Sequence, residues 1–250
     1  MNDNVEKLML RFCRGGYTEG LRKCSHALKQ NKATVVMTPN AEMLARASKE
    51  KELARILSGG DILFPDGVGV FFGMKRIGAP IFEKSCGIEL CTRLFSGLSA
   101  QKKRARVFLL GGSPGVAEKA AKNLSANYGG VYICGTHHGF FDSGGKANDA
   151  IVEQINESRA EILLVCMGFP RQEKWMLDNR HRLTSVRLMM GLGGSLDVWS
   201  GNIPRAPKVV RDIGFEWAYR VIAEPSRISR LPYLAEFAAE LALPQRFKHR

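Results

Sequence analysis

The chain has 250 residues, of which 45% are hydrophobic and 24% are charged, proportions that exclude a disordered protein and are typical of a globular one. The formal net charge of +13 predicts an anionic partner such as a nucleotide, a nucleic acid or an anionic membrane surface. No eighteen consecutive residues are apolar and residues 1–10 do not resemble a signal peptide, so we expect neither a membrane-spanning helix nor secretion. The six cysteines lack C-x-x-C spacing, which argues against disulfides or a zinc site and favours a reducing cytoplasm.

Short apolar segments alternate with segments of helical periodicity along the first part of the chain. The apolar segments are residues 33–38, 61–67, 105–112, 129–139, 161–168 and 186–194. They are apolar throughout instead of alternating with polar residues, which is typical of strands covered on both faces of a parallel sheet. Roughly six β–α repeats predict an α/β fold, with a Rossmann-like, doubly wound and mostly parallel sheet.

After about residue 195 the pattern changes to helical stretches separated by prolines, with no further strand. We therefore predict a Rossmann-like core of residues 1–195 and a C-terminal helical appendage of residues 196–250. Basic and aromatic residues are interleaved in the appendage, as in proteins that dock on an anionic membrane. The alternative is that its apolar residues pack on the core while its arginines stay solvated.

Ligands of an open parallel sheet bind beyond the carboxyl ends of its strands, so the residues that follow each predicted strand are candidate site residues. Most of them are glycine or polar. They include Thr38, Asn40, Asp66, Gly111, Gly112, Gly115, Gly168, Gln172, Gly193 and Asp197.

Gly111, Gly112 and Gly115 form a glycine-rich turn directly before a helical pattern. Such a turn presents backbone N–H groups and the positive end of the helix dipole, which favour a phosphate. The spacing is not G-x-G-x-x-G and no Walker lysine follows, which argues against a dinucleotide site or a P-loop. A tight strand–helix turn without a ligand is the alternative.

Asp66 follows the apolar residues ILFP and faces the expected cleft. A carboxylate there fits a general base, a metal ligand or a ribose contact, and the alternative is a cap on the next helix. Asp197 is open to the same interpretations. Because the chain has no D-x-D pair, we expect no metal, and the charge of a phosphate leaving group would fall to backbone amides and arginines. The candidate arginines are Arg205, Arg211, Arg220, Arg227 and Arg230.

Two other classes of protein share some of these features. A nicotinamide-dependent oxidoreductase of Rossmann type requires a glycine fingerprint and a later acidic residue, and the chain offers neither convincingly. A nucleic-acid-binding protein would explain the net charge, but it predicts basic residues concentrated on one element, whereas here they are spread over the chain.

Six blocks together identify a more specific resemblance. In chain order they are TPNAEML, PDGVGV, LLGGSPGVAEKAA, GFFD, MGFPRQEKW and GLGGSLDVWSGNIPRAP. This set resembles the WecG/TagA/CpsF glycosyltransferase family (glycosyltransferase family 26) over roughly residues 33–233, whereas the first thirty residues match poorly. The block PDGVGV has proline where alanine is more usual before the aspartate, which we expect to alter the turn more than the chemistry.

The resemblance implies an inverting enzyme that transfers N-acetylmannosamine, or its uronic acid, from UDP to undecaprenyl-diphosphate-linked N-acetylglucosamine. Of the two donors we favour N-acetylmannosamine. Such enzymes serve the synthesis of bacterial cell-surface polysaccharide or teichoic acid at the cytoplasmic face of the membrane. The resemblance implies no essential metal, and we expect no cofactor and no nucleic-acid partner. A homo-oligomer formed through the face under the appendage is a further hypothesis.

The resemblance also implies roles for particular residues. Asp66 would be the general base that deprotonates the acceptor hydroxyl, with Thr38 and Asn40 flanking the reaction centre and Gln172 touching the donor. The appendage would dock on the membrane and close over the site, where Arg220, Arg227 and Arg230 would meet the diphosphate charge. We expect the diphosphate near the turn from Gly111 to Gly115, with Gly168, Gly193 and Asp197 completing the substrate-binding set.

Overall fold

A computed structural model describes residues 2–79 and 81–243 of the chain. The last part of the predicted appendage, residues 244–250, lies outside the described residues. Six parallel strands form one sheet in the order β2-β1-β6-β5-β3-β4, so the predicted α/β fold is confirmed. The strands are Thr34–Met37 (β1), Ile62–Leu63 (β2), Ala105–Gly111 (β3), Val131–His137 (β4), Ile162–Cys166 (β5) and Leu188–Gly191 (β6).

Each of the six apolar segments contains one of these strands. The shortest is β2, because Pro65 follows two residues later and has no backbone N–H to extend a ladder. Beyond β2, an isolated parallel bridge joins Phe12 to Leu63, so the N-terminal residues cover that edge of the sheet.

Thirteen α-helices surround the sheet within the described part of the chain. They are Asp3–Met9 (α1), Gly16–Ala27 (α2), Ala41–Lys49 (α3), Lys51–Ser58 (α4), Val68–Arg76 (α5), Gly87–Ala100 (α6), Val116–Asn127 (α7), Gly145–Glu157 (α8), Arg171–Asn179 (α9), Ser195–Trp199 (α10), Lys208–Asp212 (α11), Glu216–Ala223 (α12) and Leu231–Ala242 (α13). Short 3₁₀ helices span Arg180–Arg182 and Pro225–Arg230.

The core lies in two layers, one on each face of the sheet. Successive strand residues point to opposite faces, so Val35 and Met37 of β1 belong to one layer and Val36 to the other. The first layer contains side chains of α3, α4, α8 and α9, and the second contains side chains of α2, α6 and α7. Both faces of the central strands are therefore dry, which explains why their sequences are apolar throughout.

The helices of the predicted appendage pack onto this core. Helix α13 lies against α3 and α5, and the Phe237 side chain is buried there beside Gly73. Helix α10 begins the predicted appendage but packs against α7, with Leu196 fully buried in the second core layer. Helix α10 thus packs with the helices of the core. The rest of the appendage covers the carboxyl ends of β1, β2 and β6.

No helix in residues 2–79 or 81–243 combines the length and apolar character needed to cross a bilayer.

Candidate active site

A cavity of about 1050 Å³ opens at the carboxyl ends of β1, β2 and β6, beneath the helices of the appendage. Eight of the candidate site residues line it: Thr38, Asn40, Asp66, Arg205, Arg211, Arg220, Arg227 and Arg230. The cavity floor comes from the sheet and from the first turns of α3, α5 and α6, and the roof comes from α11, α12, α13 and the 3₁₀ helix Pro225–Arg230.

Asp66 is held on a fixed loop between β2 and α5. Its backbone N–H donates to the Pro39 carbonyl at 3.0 Å, and the Gly67 N–H donates to the Ser85 carbonyl at 2.8 Å. Gly67 has φ of 89°, a left-handed conformation that glycine adopts without strain. Gly67 is also the N-cap of α5, and no side chain caps that helix. The capping alternative for Asp66 is therefore not what the fold uses.

The environment of the Asp66 carboxyl strengthens it as a base. Burial raises its pKa from the ordinary value of 3.8 to about 6, and the nearby Glu216 carboxylate acts in the same direction. Hydrogen bonds from the Cys86 thiol and the Gly87 N–H, together with the charge of Arg220, lower the pKa and limit the rise. The carboxyl is thus mostly ionised at neutral pH but accepts a proton more readily than an exposed aspartate.

Thr38 and Asn40 lie at the end of β1 and fix the wall of the cavity beside Asp66. The buried Thr38 hydroxyl donates to the Gly191 carbonyl at 2.8 Å and so joins the ends of β1 and β6. The Asn40 side-chain oxygen accepts from the Met43 N–H at 3.0 Å and caps α3. Both polar side chains have structural partners, and both still border the cavity.

Two of the three appendage arginines, Arg220 and Arg227, lie over the turn between β6 and α10, and Arg230 lies beside the start of α3. The Arg220 guanidinium donates to the Gly194 carbonyl at 3.2 Å and lies 3.4 Å from a Glu224 carboxylate oxygen. Arg227 Nε lies 2.7 Å from the same Glu224 oxygen, and Arg230 Nη1 lies 3.5 Å from Glu42 at the start of α3.

Gly194 makes this approach possible. A Cβ atom on Gly194 would lie 2.8 Å from Arg220 Nη2 and 2.9 Å from Arg227 Nη2, so any side chain there would displace both guanidinium groups. Asp197 is nearby, inside the first turn of α10 rather than at its cap. Burial and Glu224 raise the pKa of Asp197, and Arg220 and Arg227 oppose that rise. Asp197 is not among the residues that line the cavity.

Gln172 is buried beside the cavity and braces two turns. Its side-chain oxygen accepts from the Gly168 N–H at 3.3 Å and from the Gly193 N–H at 3.0 Å, which ties the end of β5 to the end of β6. Its amide nitrogen donates to Glu173 at 2.8 Å. Burial raises the pKa of Glu173 to about 7. Gln172, Gly168 and Gly193 support the cavity wall without lining it.

The glycine turn after β3 lies outside this cavity. At Gly111 a Cβ would come within 2.2 Å of the Cys166 carbonyl, and the Gly112 N–H donates to the same carbonyl at 3.1 Å. Gly111 therefore allows β3 and β5 to approach closely, whereas a Cβ on Gly112 would meet the Val116 side chain of α7. Gly115 has φ of 84°, is the N-cap of α7 and faces open space. The phosphate role of this turn stays a prediction.

Three groups that influence the pKa of Asp66 are not predicted by the sequence. They are the Cys86 thiol, the Gly87 N–H and the Glu216 carboxylate, and they belong to elements that do not directly follow a strand. The sequence signal was slight: EKSCG precedes a helical pattern, but a lone cysteine by itself predicts no contact. Ser85 holds this loop in place, because its hydroxyl donates to the Pro65 carbonyl at 2.6 Å.

Arg205 and Arg211, also candidates for binding phosphate, lie in a separate group at the start of α6. Arg205 Nη2 lies 2.7 Å and Arg211 Nη1 3.9 Å from one oxygen of Glu89. Arg93 Nε lies 3.3 Å from the other oxygen of the same carboxylate. We call Glu89, Arg93, Arg205 and Arg211 the Glu89 cluster, and all four residues line the cavity.

Within the described ranges, no three His, Cys, Asp or Glu side chains come together in a group that could hold a metal ion. The prediction that the protein uses no metal is not tested by this geometry.

Comparison with known proteins gives one consistent result. A sequence model of the Glycosyl transferase WecG/TagA/CpsF family matches residues 6–250, which extends the resemblance beyond the six motif blocks at both ends. Three relatives share the name N-acetylglucosaminyldiphosphoundecaprenol N-acetyl-beta-D-mannosaminyltransferase. The protein of Bacillus spizizenii is 31% identical over 88% of this chain and 82% of its own length. Those of Bacillus subtilis and Staphylococcus aureus are each 30% identical, over 85% and 84% of this chain and 80% of their own lengths.

Proposed function

Because the chain belongs to the WecG/TagA/CpsF family of glycosyltransferases, we propose that it transfers N-acetylmannosamine from UDP to N-acetylglucosamine linked through diphosphate to undecaprenol. The uronic acid of N-acetylmannosamine is the alternative donor. The observation that carries the proposal is the position of Asp66, a carboxyl with a raised pKa in a cavity whose lining includes Arg220, Arg227 and Arg230. The family favours this function over the oxidoreductase and nucleic-acid-binding alternatives.

In the proposed reaction, the Asp66 carboxylate takes the proton of the acceptor hydroxyl as that oxygen attacks the anomeric carbon of the donor. The bond between the anomeric carbon and the UDP oxygen breaks on the opposite face, so the configuration at that carbon inverts. UDP leaves with the electron pair of that bond. Arg220, Arg227 and Arg230 stabilise its diphosphate through charge-assisted hydrogen bonds.

The supporting residues keep this geometry in place. Thr38 and Gln172 hold the ends of β1, β5 and β6 in register, and Asn40 fixes the first turn of α3. We expect Asn40 and Thr38 to border the reacting sugars and Gln172 to act through the turns that it braces. No metal ion or cofactor is part of the proposed mechanism.

The appendage is proposed to dock on an anionic membrane at the cytoplasmic face, where a lipid-linked acceptor resides. Several of its apolar side chains are exposed: Val209, Ile213, Phe215, Trp217, Ile222 and Ile228. Lys208 and Arg211 lie among them in sequence, so the surface combines apolar and cationic groups. A bound membrane would cover these side chains while the appendage closes the cavity.

The test is release of UDP from UDP-N-acetylmannosamine with a synthetic acceptor that carries N-acetylglucosamine on a lipid diphosphate, measured with EDTA present. We expect turnover by the native protein and a loss of about 10²–10⁴-fold in Asp66→Asn, because a general base typically contributes that factor. Asp178→Asn is the matched control, since Asp178 is exposed on α9 and pairs with Lys174 one turn away.

Full turnover in Asp66→Asn would remove the assignment of the base. Loss of turnover on addition of EDTA would contradict the metal-free mechanism. Turnover with the uronic acid donor alone would correct the donor and keep the transferase. A native protein that neither turns over nor binds UDP would overturn the proposed function.

A further inference from the structure

We propose that the cavity contains two separate diphosphate subsites, and that the Glu89 cluster binds the diphosphate of the lipid-linked acceptor. The inference rests on the proposed function, in which both substrates carry a diphosphate. Arg220, Arg227 and Arg230 then serve the donor alone. The second subsite consists of Arg93, Arg205 and Arg211.

The Glu89 cluster has an excess of positive charge. Three guanidinium groups surround a single carboxylate, at N–O distances of 2.7, 3.3 and 3.9 Å. The Nε atom of Arg205 is buried and has no hydrogen-bond partner among the described residues. Arg93 also lies with its guanidinium carbon 3.8 Å from the centre of the Tyr17 ring, which fixes its orientation. A diphosphate supplies the acceptor oxygens that these donors lack.

The two arginine groups lie on different elements around Asp66. One group surrounds the turn after β6 and the start of α3, where Gly194 and Glu42 lie. The other lies at the start of α6, where the Gly87 N–H and the Cys86 thiol bond to Asp66. The charge of Arg220 acts on the Asp66 carboxyl, and Arg205 interacts with the Cys86 thiol that donates to Asp66. The base is therefore close to both groups.

The proposed transfer between two substrates that each carry a diphosphate favours two separate subsites. The acceptor hydroxyl must reach the donor's anomeric carbon while the acceptor still carries its own diphosphate at the far end of its sugar. Two anionic diphosphates repel each other, so two separate arginine groups hold them at a lower electrostatic cost than one group would. Two groups close to the base would place one diphosphate on each side of the new bond.

The surroundings of the Glu89 cluster favour the lipid-linked substrate over the nucleotide. Helix α11 carries Arg211, and its neighbours Val209 and Ile213 are 70% and 57% exposed. Phe82, before α6, is 81% exposed. An isoprenoid chain that leaves its diphosphate at the cluster would pass over apolar surface into the membrane, whereas UDP has no apolar tail to bury.

The test compares two equilibrium binding measurements on the full chain without donor sugar. One probe is farnesyl diphosphate, a short water-soluble lipid diphosphate, and the other is UDP. We expect Arg205→Gln and Arg211→Gln each to weaken farnesyl diphosphate binding by about tenfold or more and to change UDP binding less than twofold. Arg220→Gln should instead weaken UDP binding by about tenfold or more and change farnesyl diphosphate binding less than twofold.

Arg104→Gln is the matched control for charge, because Arg104 is exposed just before the amino end of β3 and does not line the cavity. Inorganic diphosphate and farnesol, as separate probes, distinguish recognition of the phosphates from recognition of the apolar chain. If Arg205→Gln does not fold, Arg211→Gln and Arg205→Lys carry the test, since Arg211 makes only the longest contact with Glu89.

The proposal is overturned if native protein does not bind farnesyl diphosphate, or if the Arg205 and Arg211 variants bind it as well as the native chain does. Equal weakening of farnesyl diphosphate binding and UDP binding would also overturn it. So would variants that weaken binding of the protein to phosphatidylglycerol vesicles without weakening its binding to farnesyl diphosphate. Because neither measurement uses the sugar donor, failure of the transferase reaction and failure of this subsite are seen separately.

Discussion

The pKa of Asp66 is set by groups that raise it and groups that lower it, and the side chains among them can be substituted one at a time. Burial and Glu216 disfavour its charge, whereas the Cys86 thiol, the Gly87 N–H and Arg220 favour it. The proposed reaction needs the ionised carboxylate, so kcat/KM should increase as the pH rises through about 6 and then level off. The Cys86 thiol is the contact easiest to alter, because it is a weak donor.

The Cys86→Ser substitution should move this rise in kcat/KM to lower pH. A hydroxyl donates a stronger hydrogen bond than a thiol, so it stabilises the Asp66 carboxylate and lowers its pKa. The measurement is kcat/KM for the acceptor between pH 5 and 8. Cys134→Ser is the control, since that thiol contacts the Val107 carbonyl in the sheet, away from the cavity. If kcat/KM of Cys86→Ser rises at the same pH as that of the native protein, the thiol does not set the pKa of Asp66.

At the scale of elements, the glycine at the start of α10 determines how closely the appendage approaches the sheet. Gly194→Ala would place a methyl group where Arg220 and Arg227 now lie, and φ of −83° at this position imposes no backbone strain. The clashing atoms are the ends of flexible side chains, so we expect the variant to fold. Loss of their charge-assisted contacts should weaken UDP binding by about tenfold, as measured by calorimetry.

The control for this substitution is Gly97→Ala in α6, where a Cβ would meet no atom within 4 Å. Alanine is the better helix former, so this variant should be as stable as the native protein or more stable by up to about 1 kcal/mol. It should bind UDP normally. If Gly194→Ala folds and binds UDP normally too, the two arginines do not hold the donor diphosphate.

Most of the fold was predictable because burial on both sheet faces leaves a clear trace in the sequence. Six continuous apolar segments predict six strands, and the change of pattern after about residue 195 predicts that helices follow the last strand. The strand order β2-β1-β6-β5-β3-β4 leaves no such trace, since it depends on which long-range pairings form. The sequence therefore predicted residues at the strand ends without predicting which ends are neighbours.

This explains which candidate residues line the cavity. Asp66 and Thr38 follow the neighbouring strands β2 and β1, and β1 also pairs with β6, whose following turn carries Gly194 with Arg220 and Arg227 beside it. The glycine turn after β3 is separated from β6 by β5, and it lies outside the cavity lining. Cys86 follows no strand, and only the folded chain brings it to Asp66.

At the scale of the whole molecule, the net charge of +13 and the exposed apolar side chains of the appendage both favour an anionic membrane. Ile222→Glu tests this surface, because Ile222 is 82% exposed on α12 and does not line the cavity. Binding to phosphatidylglycerol vesicles, measured by sedimentation, should weaken by about tenfold or more, since burial of one isoleucine contributes roughly 1.5–3 kcal/mol.

Turnover of Ile222→Glu on a water-soluble acceptor should stay at the native level. Tyr132→Glu is the control for vesicle binding, because Tyr132 is exposed on β4 at the far edge of the sheet. Equal losses in both variants would mean that the added negative charge, and not the appendage surface, weakens binding.

Glu224 gives the appendage its own counter-ion. The carboxylate contacts both Arg220 and Arg227 from the same stretch of chain, so it balances one of their two positive charges within the appendage. Among the described residues, the ion pairs between the appendage and the rest of the chain are Arg205–Glu89, Arg211–Glu89 and Arg230–Glu42 beside the cavity and Lys49–Glu236 at the surface. Lifting the appendage away would separate those pairs, but Glu224 would stay with Arg220 and Arg227. A substrate diphosphate at this site therefore competes against an internal carboxylate instead of filling a vacant positive site.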